Sequence, residues 1–181
     1  MIDMTQQRLA RIAGLFYALN FVLGILSLVR LKAGDQAASD QMMLFAAIDY
    51  AIVVILLGRL FEPAGRALSW AVAAVGLTGC ALSAAAALHV FAAPVNPLAI
   101  FGVYCLGVGS LIVRSRLMPS VIGVLLMLGG LSWMTYASPA LAHRLVPYSM
   151  APGAIAELIF TLWLLIFGVR APSSLSAPST A

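Results

Sequence analysis

Six long apolar runs, near residues 9–30, 42–60, 68–92, 97–113, 119–137 and 150–169, are separated by short polar breaks. Within each run the apolar residues fill every face, without the alternation of a half-buried strand or the single stripe of a surface helix, so the surrounding medium is lipid. At a rise of about 1.5 Å per residue, about 20 residues cross a hydrocarbon core of about 30 Å. The pattern therefore predicts an all-α, polytopic transmembrane bundle of six helices, the fourth at the short limit. Proline and glycine mark the breaks: Glu62-Pro63-Ala64-Gly65-Arg66 after the second run, Pro94 and Pro97 before the fourth, Pro119 opening the fifth, and Pro139 and Pro147 around the longest late loop. Pro152 fits the first turn of the sixth helix, where a missing N–H matters least. Residues 1–171 form the expected transmembrane domain, and the Ser-, Pro- and Ala-rich stretch 172–181 is expected to be a disordered tail.

Composition sharpens this reading. Of 181 residues, 63% are hydrophobic and 9% charged, against roughly a quarter charged in a soluble domain. No segment is left to build a separate soluble catalytic domain, and any chemistry is expected in or beside the membrane. The net charge of +4 is spread as punctuation between apolar runs, which argues against nucleic-acid binding. Arg8, Arg11, Arg59, Arg66, Arg114, Arg116 and Arg170 fall on one side of a six-crossing path, and Arg30, Lys32 and Arg144 on the other. This bias predicts that both termini are cytoplasmic and that these arginines set topology or meet lipid headgroups. Arg8 and Arg11 before Ile12–Val29 superficially resemble a secretory signal, but the run is too long for a typical cleavable one, so a retained first helix is expected.

Candidate chemistry is sparse. Asp49 and Glu157 lie inside apolar runs, where a carboxylate costs about 2.5 to 3.5 kcal/mol on insertion scales. Such groups face a bundle interior, a partner or a water-filled path. On the predicted topology Asp49, Glu157 and His89 share the outer half of the membrane, with Tyr104 able to approach them and Asn20 nearer the middle. These five are the candidates for a site that binds a small solute, lipid or proton. The competing reading gives the same residues to interhelical hydrogen bonds in a structural or regulatory protein. Cys80 and Cys105 lack paired spacing and read as small buried hydrophobes. No nucleophile elbow, H-E-x-x-H motif or phosphate loop is present, and neither a metal nor a soluble cofactor is expected. Tyr17, Trp70, Trp133 and Trp163 read as packing or interfacial aromatics. The stripes Gly76/Cys80/Ala84 and Gly79/Ser83/Ala87, with Gly102, Gly107, Gly109, Gly129 and Gly130, predict close helix approach within a bundle or a homo-oligomer.

Three segments carry a family resemblance: Arg8-Leu9-Ala10-Arg11-Ile12-Ala13-Gly14-Leu15-Phe16-Tyr17, the stretch Arg114-Ser115-Arg116-Leu117-Met118-Pro119-Ser120-Val121-Ile122-Gly123-Val124-Leu125-Leu126, and Ala156-Glu157-Leu158-Ile159-Phe160-Thr161-Leu162-Trp163-Leu164-Leu165. With them the chain resembles, over nearly its whole length, the DUF4386 family of bacterial integral membrane proteins. The resemblance implies a bacterial inner-membrane location and places Glu157 at an acidic position of the last helix. Asp49 stands where the second helix often carries glutamate. No activity follows from the resemblance.

Overall fold

A computed structural model describes residues 4–90, 95–145 and 148–169. The helices are α1 (Met4–Lys32), α2 (Gln36–Leu60), α3 (Arg66–Ala87), α4 (Pro97–Ser115), α5 (Ser120–Met134), α6 (Pro139–Leu145) and α7 (Met150–Ile166). The chain is an all-α, multi-pass membrane protein: five helices are long and apolar enough to cross a bilayer, and up to six if the short α6 and α7 count as one broken span. By itself α7 has 17 residues, the lower bound of about 17 for a crossing helix. The expected tail and Arg170 lie outside the described residues, as do Pro94 and Pro147.

Several helix boundaries differ from the apolar runs, and two of the differences move candidate residues. α2 begins at Gln36, six residues before the run at 42, because the Asp35 carboxylate accepts from Ala38 N at 3.1 Å and caps a polar first turn. Asp49 is therefore in the middle of α2, not in its outer half. α3 ends at Ala87, and His89 beyond it has a left-handed backbone with φ 53°. The expected loop after α5 also contains a helix, α6.

Each long helix packs on its neighbour in the order α1, α2, α3, α4, α5, α7, and α7 returns to α1, closing a ring. Helices across the ring do not touch through their backbones, so side chains fill the centre. Tyr50 stacks edge-on against Tyr17, Phe101 and Tyr104 at centroid distances of 5.2, 5.1 and 6.1 Å. Tyr17 in turn meets Phe160 at 6.0 Å.

Two seams set the antiparallel register. Between α1 and α2, Ser27 Oγ meets Ser39 Oγ at 3.0 Å and Asn20 Nδ2 donates to Ala46 O at 2.8 Å. That register brings Tyr17 level with Asp49 and Tyr50. Between α4 and α5, Gly102 faces Gly130 and Gly109 faces Gly123: a Cβ at any of the four would lie 2.5–2.6 Å from the opposing carbonyl oxygen. Both seams repeat after seven residues on each helix, the spacing of a shallow left-handed crossing. The stripe on α3 is also used inside the bundle, where Gly76 leaves room for the Tyr104 ring and Gly79 for Phe101. The ring closes at one end through Gln7, whose side chain donates to Phe167 O and accepts from Val169 N, both at 3.0 Å.

Candidate functional site

Glu157, midway along α7, projects into the centre of the ring. Its Oε2 accepts from the Tyr17 hydroxyl of α1 at 2.7 Å, and its Oε1 from Trp133 Nε1 of α5 at 2.6 Å. The Cys105 thiol of α4 points at Oε1 from 3.8 Å. The Tyr17 hydroxyl also meets that of Tyr50 on α2 at 2.8 Å. Side chains from three other helices thus converge on the Glu157 carboxyl, and Tyr50 of α2 joins them through Tyr17, which is 1% exposed. Local sequence makes the approach possible: Gly153, one turn before Glu157, lies flat against the Trp133 indole, and a Cβ there would collide with it. Short hydrogen bonds to a carboxylate are about twice as strong as neutral ones, and they supply the donors that hydrocarbon lacks.

Asp49 lies apart from this hub. It is buried, faces α1 beside Asn20, and neither carboxyl oxygen has a hydrogen-bond partner. No contact joins it to Glu157 among the described residues. The expected outer-half cluster of Asp49, Glu157 and His89 is therefore not formed. His89 sits just past the end of α3, its side chain 71% exposed, with Nε2 2.9 Å from Asp40 Oδ2. Tyr104 reaches the central aromatic layer, but its buried hydroxyl has no partner. The candidate residues occupy three places: the hub with Glu157 and Tyr104 near it, the α1–α2 seam with Asp49 and Asn20, and the outer surface with His89.

Comparison with known families singles out the second half of the chain. Residues 95–168 match DUF4386, a domain of unknown function. No curated protein and no solved structure matches the chain. The DUF4386 match spans α4 to α7 and includes Arg114–Leu126, Ala156–Leu165 and the hub residues Cys105, Trp133 and Glu157. It stops short of Arg8–Tyr17, so it is narrower than the near-complete resemblance expected, and Tyr17, Asn20 and Asp49 lie outside it.

Of the hub, only Glu157 was selected by sequence reasoning. Trp133 and Tyr17 look like ordinary membrane aromatics along the chain, and Tyr50 and Cys105 carry no motif. One signal was available: Tyr17 and Tyr50 lie inside apolar runs, away from the interfacial zones where such rings anchor. Arg8, Arg11, Arg59, Arg66, Arg114 and Arg116 are exposed at one end of the bundle, and none pairs with a carboxylate among the described residues. No group of three His, Cys, Asp or Glu side chains converges to hold a metal among the described residues.

Proposed function

We propose that this is a non-enzymatic protein of the bacterial inner membrane, with both termini cytoplasmic, whose polar interior serves to assemble and hold a closed helix ring. Its role is then structural or regulatory toward the membrane or a partner in it. One observation carries this reading: the Glu157 carboxyl is already occupied by donors from three other helices. In a lipid medium, where burying apolar surface does not drive helix association, such hydrogen bonds specify which helices pair and in what register.

A double-mutant cycle of Glu157→Gln and Trp133→Phe tests it. Each single variant is expected to insert normally and to lose about 1 to 2 kcal/mol of unfolding stability in detergent or bicelles. The pair is expected to couple by about 1 kcal/mol. Wild-type unfolding of Glu157→Gln would remove the assembly reading.

A second reading, binding of a small solute, lipid or proton, is favoured by a separate observation. Asp49 is buried midway along α2, and neither of its carboxyl oxygens has a hydrogen-bond partner.

A further inference from the structure

Asp49 is the buried carboxyl that the hub does not use. Its side chain is 6% exposed, and neither oxygen has a partner. An unpaired carboxylate at that depth costs several kcal/mol, so something neutralises it. The groups around it narrow the choice. From α1 it faces Asn20, which is uncharged and spends one of its two amide hydrogens on Ala46 O. The Tyr17 hydroxyl, one turn away on α1, is committed to Tyr50 and Glu157. α3 packs on another side of α2, where Ser69 Oγ donates to Gly58 O and Gly58 approaches Ala73. No charged side chain among the described residues acts on Asp49 from α1, α2 or α3.

A metal cation is a poor fit. A hard cation asks for about six oxygens, whereas among the described residues no group of three His, Cys, Asp or Glu side chains converges to hold one. A proton needs a single oxygen. The position also favours proton exchange from the lipid side: Phe45, Ile48 and Ile52 on α2 are 54%, 54% and 38% exposed and form its outward stripe. Asp49 is one step around the helix from that stripe, at the edge toward α1.

We propose that Asp49, with Asn20 beside it, is a proton-binding site at the lipid-facing edge of the α1–α2 seam, independent of the Glu157 hub. This rests on the binding reading above and narrows its ligand to a proton. The test uses the full chain in liposomes, treated with the hydrophobic reagent N,N′-dicyclohexylcarbodiimide across a pH series, with adducts mapped by peptide mass spectrometry. A protonated carboxyl transfers its proton to a reagent nitrogen while its oxygen adds to the central carbon. The product rearranges to a stable N-acylurea.

The expected result is an adduct on Asp49 that falls about tenfold per pH unit above the titration midpoint. It should vanish in Asp49→Asn and persist in Asp49→Glu. Glu157, whose two carboxyl oxygens are held by Tyr17 and Trp133, should stay unmodified until the protein is denatured. Labelling of Asp49 that is independent of pH, or blocked by sodium at constant pH, would overturn the proton assignment and leave the binding reading standing. No adduct on Asp49 at any pH, with the unmodified peptide recovered, would overturn both.

Discussion

A buried hydroxyl is worth what its partners make it worth, and two tyrosines in the same aromatic layer illustrate the difference. Tyr17 places its hydroxyl between Tyr50 and Glu157, at 2.8 and 2.7 Å. The hydroxyl of Tyr104 is equally buried and meets nothing. Tyr17→Phe strips the carboxylate of one of its two short donors and is expected to cost about 1 to 3 kcal/mol. Tyr104→Phe removes an unsatisfied group and should be neutral or slightly stabilising, because the ring keeps its packing against Tyr50 and Gly76. Chemical or thermal unfolding of the two variants side by side checks both signs. The sequence identified Glu157 because a carboxylate inside an apolar run is costly wherever the chain goes. It could not identify Tyr17 or Trp133, whose rings suit lipid, interface and core alike, so that only the neighbouring helix reveals a donor aimed at an acid.

At the level of the element, glycine has two unlike uses here. Gly102, Gly109, Gly123 and Gly130 let the α4 and α5 backbones touch, each glycine facing an opposing carbonyl. Gly24 on α1 has no atom near the place a side chain would take. Gly109→Ala forces the two helices apart and is expected to destabilise by about 1 to 3 kcal/mol, as overpacking does. Gly24→Ala is expected to leave stability unchanged or raise it by up to about 1 kcal/mol, since alanine is the better helix former. Equal losses from the two would show that the glycines act through helix propensity alone and would remove the close-contact explanation. Spacing along the chain marked Gly102, Gly109 and Gly130 as packing positions, yet it could not say against which helix. The stripe on α3 suited a homo-oligomer equally well until the rings of Tyr104 and Phe101 were seen lying over it. Helix ends were legible where proline or a capping residue marked them. They were misplaced at α2, because a polar first turn capped by Asp35 extends the helix beyond its apolar part, and that shift puts Asp49 midway along the helix.

For the molecule as a whole, Gln7 holds the end of α7 beside the start of α1, so the ends of the ring lie together. With α1 to α5 running alternately, Arg8, Arg11, Arg59, Arg66, Arg114 and Arg116 share one end. Arg30, Lys32 and Arg144 belong to the helix ends and loop of the opposite side by the same alternation. By the positive-inside bias the arginine-rich end is expected to face the cytoplasm. Cysteine labelling in cells checks this orientation. Cys80 and Cys105 are 4% and 1% exposed and should be silent. A cysteine at the exposed Ala33 position (Ala33→Cys) should react with a membrane-impermeant maleimide in intact spheroplasts, and one at Ala67 (Ala67→Cys) only after lysis. The reverse pattern would invert the topology.

The sequence by itself determined the medium, the helical class, the approximate number of spans and the positions where charge is expensive. Each of these follows from local properties: side-chain transfer free energy, the length needed to cross hydrocarbon, and the backbone demands of proline and glycine. Tertiary structure alone decided what the polar residues do. Ring closure gathers Tyr17, Cys105, Trp133 and Glu157 from four helices, up to 140 positions apart, while leaving Asp49 at the rim and His89 with Asp40 at the surface. Hydrophobicity is indifferent to which helix faces which. The choice is made by interhelical contacts, glycine against carbonyl and donor against carboxylate, which exist only once the helices have met.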